Sequence, residues 1–154
     1  MIYVEAPDRT VKKGMPSVFL AGGITGAPQW QNELIASIHE LDMVIYNPRR
    51  ANFPIKDPSA AEKQIKWEYD MLRVASMISF WFCKETMCPI VLLELGSHLM
   101  TSKPLVVGMD KKYQRRQDVE IQTDLARSDV KIVYSLDDLA DEVSKLYNQL
   151  KMTV

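Results

Sequence analysis

Short apolar runs alternate with longer amphipathic ones along this chain, and the alternation predicts its elements. Ser17-Val18-Phe19-Leu20-Ala21 reads as a buried strand ended by Gly22-Gly23. Pro28 to Leu41 carries Trp30, Leu34, Ile35, Ile38 and Leu41 at helical spacing. Met43-Val44-Ile45-Tyr46 is a second strand, stopped by Asn47-Pro48, and a proline-rich loop runs on to Pro58. Ser59 and Glu62 form a capping-box pattern before a helix with Ile65, Tyr69, Leu72 and Ala75 or Ser76 on one side. Met77 to Phe82 is a third strand, followed by a helix from Pro89, and Pro104 to Gly108 is a fourth strand. Asp118 to Ala126 reads as a helix, Lys131 to Tyr134 as a fifth strand and Ser135 to Leu150 as the last helix, with Ser135 and Asp138 suiting its first turn. Strands alternating with helices predict an α/β three-layer sandwich around a five-stranded parallel sheet, flavodoxin-like or Rossmann-like. In such sheets a ligand sits beyond the carboxyl ends of the strands, so the loops after Ala21, Tyr46, Phe82 and Gly108 border the expected site.

The 154 residues fit one domain, with residues 1–16 as an N-terminal extension. Hydrophobic residues make up 47% and charged residues 25%, a globular balance that permits a real core. A formal net charge of -1 gives no basic field for a nucleic acid polymer. The apolar runs are too short to span a bilayer, so no membrane partner is expected. Met1 to Gly14 lacks a signal peptide's apolar core, which leaves cytoplasm as the default compartment. Cys83, Cys88, His39 and His98 make no zinc pattern; both cysteines read as buried reduced thiols, and neither a metal nor a cofactor is expected.

Glu94 stands out as the only formal charge between Met87 and Ser102. Among Ile90, Val91, Leu92, Leu93 and Leu95 it faces either water or a dry pocket. In a pocket, burial and neighbouring charges tune it as a nucleophile or an acid. Ser97 and Thr101, spaced with it on one helix side, support the exposed alternative, while Gly96 leaves room for a ligand or another backbone. The glycine turn Gly22 to Gly26, with Thr25, either approaches a sugar or phosphate or is a tight turn. It is neither a Walker loop nor the dinucleotide fingerprint. Arg49 and Arg50 either clamp a phosphate or carboxylate or pair with Asp57 or Glu62. Trp67 and Asp70 lie three apart and share a helix face, though periodicity alone makes Asp70 a surface carboxylate; Glu68 points elsewhere and suits solvent. Phe82, at a strand end, can stack on a base or pack in the core. His98, four after Glu94, either sits one turn along the same face, within reach of a hydrogen bond or charge interaction, or is a partly exposed histidine without a role.

The ordered set Phe-Leu-Ala-Gly-Gly-Ile-Thr-Gly, Asn-Pro-Arg-Arg, Trp-Glu-Tyr-Asp and Leu-Glu-Leu-Gly resembles the nucleoside 2-deoxyribosyltransferase family over Ser17 to Val107. It is also similar to the related N-glycosidases that hydrolyse deoxynucleoside 5'-monophosphates. The resemblance implies that Glu94 attacks the anomeric carbon and that Asp70 holds the sugar or assists departure of the base. It implies that Gly22, Gly23 and Thr25 border the sugar and base, and that the chain forms a homo-oligomer whose sites can borrow residues from a neighbour. Arg49 and Arg50 would select a 5'-phosphorylated substrate, with Trp67 and Phe82 as further substrate-binding candidates. Two departures stand out: Cys88 occupies the place of a base-contacting aspartate, and Pro89 to Leu93 replaces a small-residue approach to the nucleophile.

The implied activity is N-glycosidic bond cleavage or transfer on a nucleoside or nucleoside 5'-monophosphate. The retaining route passes through a glycosyl ester on Glu94, which water or a second base resolves. Two other readings stay open: a non-catalytic nucleotide-binding or sensing module on the same fold, and a plain interaction domain.

Overall fold

In the computed structural model, which describes residues 1–153, the chain opens on a strand that the apolar pattern does not announce, β1 (Ile2–Val4). There follow β2 (Ser17–Gly22), α1 (Trp30–Ser37), β3 (Val44–Tyr46), α2 (Ala60–Val74), β4 (Met77–Phe82), α3 (Pro89–Leu99), β5 (Leu105–Met109), α4 (Arg116–Ala126), β6 (Lys131–Val133) and α5 (Leu136–Met152). The six strands form one parallel sheet in the order β1-β3-β2-β4-β5-β6. The α/β, Rossmann-like architecture is the expected one, with one strand more than the five expected. That strand comes from the segment read as an extension, and Ile2 to Val4 pairs in register with Val44 to Tyr46.

From β2 the chain crosses to β3 on one side, and from β3 back over β2 to β4 on the other. Right-handed crossovers then put α1 on one face of the sheet and α2, α3 and α4 on the opposite face. The last helix, α5, packs with α1 and against β5. The reversal of direction falls between β2 and β4, the place where doubly wound sheets open a crevice at their carboxyl ends.

The α1–α5 face is closed by one aromatic row. Gly22, Trp81 and Gly108 are direct neighbours across three strands. A side-chain carbon on Gly22 would lie 2.2 Å from the Trp30 ring, and one on Gly108 would lie 2.8 Å from the Trp81 ring. Glycine at these two positions makes room for two indoles. The opposite face holds Phe19, whose ring centre is 6.1 Å from that of Trp67 on α2, and Phe82, 5.0 Å from Tyr113.

The helix starts follow the expected signals unevenly. Ser135 accepts from the Asp138 N–H and caps α5. Ser59 precedes α2 but makes no side-chain cap; instead its N–H and hydroxyl both donate to Asp57, so the expected box with Glu62 does not form. Glu62 pairs with Lys66 on the surface. Pro89 opens α3 where no backbone donor is needed. Among the described residues no helix is long and apolar enough to cross a membrane.

Candidate functional site

A cleft of about 660 Å³ lies between α2 and α3, running from the glycine turn after β2 towards the carboxyl end of α2. Its volume is in the range that holds a small organic ligand. Gly22, Gly23 and Thr25 border it at one end; Ile65, Glu68 and Leu72 line the α2 wall; Ile90, Leu93 and Glu94 line the α3 wall. Glu94 is therefore a pocket residue and not a position on a solvated stripe.

The second acid in this cleft is Glu68. It lies three residues after Ile65 and four before Leu72, so it rides the stripe of α2 that faces α3. The Gln64 amide donates to its carboxylate at 2.8 Å and to the Pro48 carbonyl at 2.9 Å, which ties the acid to the loop after β3. Burial, reinforced by the charge of Glu68, pushes the Glu94 carboxyl up to about 8. Burial also raises Glu68, and the hydrogen bond from Gln64 opposes that rise. The charge of Glu68 bears on Glu94, so Glu94 is the carboxyl of the two that keeps a proton at neutral pH.

Asp70 stands elsewhere. Two residues beyond Glu68 is about 200° around a helix, and the Asp70 carboxylate is bound by Arg9 at 2.6 Å on an exposed surface. The family resemblance implies Asp70 as the second acid, whereas the structure places Glu68, and not Asp70, in the cleft with Glu94.

Arg49 is also redirected. Its guanidinium donates to the carbonyls of Pro28 and Ala27 and to Gln31 Oε1. Gln31 and Trp30 in turn donate to the Gly23 carbonyl. Arg49 thus braces the glycine turn from behind, and Asp57 and Glu62 are not its partners. Arg50 lies 5.6 Å from the centre of the Phe53 ring and borders a separate hollow with Arg9, Lys63 and Trp67. Trp67 is buried, with its indole N–H donating to the Asp8 carbonyl. Phe82 is wholly buried in the core. None of Arg49, Arg50, Trp67 and Phe82 lines the cleft.

Gly23 is closed in for its own reason. A side-chain carbon there would meet Ala27 at 3.1 Å and the sulfurs of Cys88 and Cys83 at 3.1 and 3.2 Å. Both cysteines are buried free thiols, and burial followed by the neighbouring Cys88 pushes the Cys83 thiol up to about 11. Cys88 adopts a left-handed backbone with φ of 49°, and its N–H is held by the Thr86 hydroxyl at 3.0 Å. Gly96, by contrast, faces open space, and no backbone approaches it. His98 is buried and its Nδ1–H donates to the Glu94 main-chain carbonyl at 2.9 Å, not to the carboxylate. Among the described residues no three His, Cys, Asp or Glu side chains converge as a metal-binding group.

The comparisons with known proteins agree with this geometry at the level of family and fold. No curated protein matches the chain significantly. A solved structure described as a conserved protein from Enterococcus faecalis V583 superimposes with a TM-score of 0.63 at 16% identity, covering 86% of this chain and 99% of that one. At that identity the likeness is one of fold. The family described as nucleoside 2-deoxyribosyltransferase like matches residues 15–113, a span that holds the glycine turn, both acids and the whole cleft. The chain belongs to the nucleoside 2-deoxyribosyltransferase-like family.

Proposed function

We propose that the cleft breaks the N-glycosidic bond of a nucleoside or nucleoside 5'-monophosphate, with Glu94 as nucleophile and Glu68 as the group that delivers a proton to the leaving base. The observation that carries this reading is the pair of carboxyls sharing one largely apolar cleft inside the family's matched span. An oxocarbenium-like transition state needs a carboxylate under the anomeric carbon and a proton for the departing nitrogen. The pair holds one proton, which rests on Glu94, and it supplies both groups once that proton passes to Glu68 and leaves the Glu94 carboxylate free to attack.

In the first step a Glu94 oxygen bonds to the anomeric carbon as the carbon–nitrogen bond breaks. The bonding electrons pass to the base nitrogen, which takes the pair's proton through Glu68. In the second step water attacks the anomeric carbon, the ester bond breaks, and the electrons return to Glu94. Glu68, now ionised, accepts the proton of that water. A second base in place of water gives transfer. Gly22, Gly23 and Thr25 border the space where substrate would meet the glycine turn, held in shape by Arg49 through Gln31. Ile65, Tyr69, Ile90 and Leu93 are exposed around the cleft, which supports closure of its mouth by a second copy of the chain.

Cys88 favours a second reading, a non-catalytic nucleotide-binding module. It stands where the transferase pattern has a base-contacting aspartate, and it turns its thiol to the Thr86 carbonyl. One assay separates the readings: incubation with mixed nucleosides and 5'-monophosphates, with and without free bases, followed by chromatography. Free base alone means hydrolysis, exchanged nucleosides mean transfer, and binding without turnover means the module. Glu94→Gln lowers base release at least ~10³-fold, the scale of losing a reacting group. Base release at the parent rate in that variant overturns the assignment.

A further inference from the structure

The cleft does not end at Glu94. It continues to Arg73, Ser97 and His98, which it shares with a second hollow of about 460 Å³ completed by Ser76, Lys103 and the turn between them and β5. Three basic side chains and several hydroxyl groups line this hollow, and no carboxylate does. Among the described residues neither Arg73 nor Lys103 forms an ion pair.

Arg73 and Lys103 are fixed by neutral partners that leave their charges uncancelled. The Arg73 guanidinium lies 3.4 Å from the centre of the Tyr69 ring and donates to the Tyr69 carbonyl at 3.1 Å. The Lys103 ammonium donates to the Arg73 carbonyl at 2.8 Å and also to the Ala75 carbonyl. The His98 ring spends its Nδ1–H on the Glu94 carbonyl, and its Nε2 has no partner among the described residues. Burial lowers Lys103, and the Arg73 charge lowers it further. Burial likewise lowers His98; the hydrogen bond to Glu94 opposes this, and the charges of Lys103 and Arg73 add to it. The carboxyl end of α2 accounts for one cation, since Lys103 caps its last carbonyls. It does not account for Arg73 and His98 crowding the same space.

We propose that this hollow is an anion subsite continuous with the cleft, taking a phosphate-monoester dianion through Arg73, Lys103 and the neighbouring hydroxyl groups. The dianion belongs to the ligand in the cleft or arrives as free phosphate; only the first source rests on the proposed nucleoside chemistry. The subsite replaces Arg49 and Arg50, which the fold commits to other work. A guanidinium and an ammonium with no competing acid are the groups that bind a phosphate most strongly.

The test follows the imidazole resonances of the whole chain by NMR during titration with inorganic phosphate at constant ionic strength. His98 and His39 are its two histidines, and His39 is exposed and hydrogen-bonded far from the hollow, so it serves as internal control. His98 shifts saturably and His39 does not. Arg73→Met and, separately, Lys103→Met each weaken binding about tenfold, the loss of one charge-assisted contact. In Glu94→Gln protein, phosphate that competes with a nucleoside 5'-monophosphate but not with the nucleoside identifies the ligand's own phosphoryl group. Phosphate that binds without competing identifies the free ion. Absence of a saturable His98 shift with either phosphate or mononucleotide, or a shift that both variants leave unchanged, overturns the subsite. Absence of glycosidic cleavage with the His98 shift intact overturns the proposed reaction and leaves the subsite standing.

Discussion

On the α1–α5 side of the sheet, Gly22 and Gly108 leave room for Trp30 and Trp81, and Leu139 closes on Gly108 as well. On the α2–α3 side the helices stand apart, two acids lie in the gap, and Ile65, Tyr69, Ile90 and Leu93 stay exposed. Both faces come from the same parallel sheet and similar amphipathic helices. The difference shows where each face spends its interactions. The closed face gains dispersion and apolar burial from every neighbour. The open face keeps two carboxyls where burial raises both of their titrations, an arrangement that costs stability and serves chemistry.

The largest test of that contrast is Glu68→Gln. On the open face it removes the proton donor, and the rate of base release falls by about 10²–10⁴-fold, the usual range for a general acid. The parent's kcat/KM is bell-shaped in pH, with an alkaline limb near the Glu94 titration at about 8, because the reactive form carries one proton on the pair. In the variant the partner charge is gone, so Glu94 titrates lower and the alkaline limb disappears. A nucleoside whose base leaves without needing a proton, such as an N7-methylated purine, recovers most of the rate. An unchanged profile removes Glu68 from the mechanism.

Stability measured against pH gives the next effect. Glu94 titrates near 8 when folded and near 4.3 when unfolded. Between those values the folded chain binds more protons, so its stability declines as pH rises through that window. Glu94→Gln removes most of the decline and leaves the part that the raised Glu68 contributes. In urea unfolding at pH 9 the variant exceeds the parent by roughly 2–4 kcal/mol, after partial exposure of the carboxyl is discounted, and at pH 4 the two agree.

The closed face responds in the opposite sense. Gly108→Ala places a carbon against the Trp81 ring and costs about 1–3 kcal/mol in the same unfolding experiment, with the pH dependence of stability retained. Asp70→Asn gives the smallest effect. It removes an exposed pair with Arg9, costs no more than about 1 kcal/mol, and leaves base release unchanged. A large loss of activity there would restore Asp70 to the site.

Two neighbouring residues of α2 show what a sequence can and cannot settle. The stripe Ile65, Tyr69, Leu72 is legible as one side of a helix, and Glu68 sits inside it at spacings of three and four. That stripe was the available signal for Glu68. Asp70 came instead from the family resemblance, and the face it shares with Trp67 packs on Phe19 and the Asp8 carbonyl, away from Glu94. Arg49 and Arg50 stand outside the cleft for a related reason. Their position at a strand's carboxyl end was read correctly, while the carbonyls of Ala27 and Pro28 that capture Arg49 belong to a loop more than twenty residues away in the chain. Gly22 borders the cleft as expected, yet its missing side chain serves Trp30.

Local periodicity determined the parallel α/β sandwich, the helix bearing Glu94 and the glycine turn, because strands and helices write their own repeats of two and 3.6 residues into neighbouring positions. The sixth strand, the choice of Glu68 over Asp70 and the gathering of Arg73, His98 and Lys103 came only with the tertiary structure. Each depends on which side of one element meets another, and that docking is set by packing between residues far apart in the chain, where no local repeat records it.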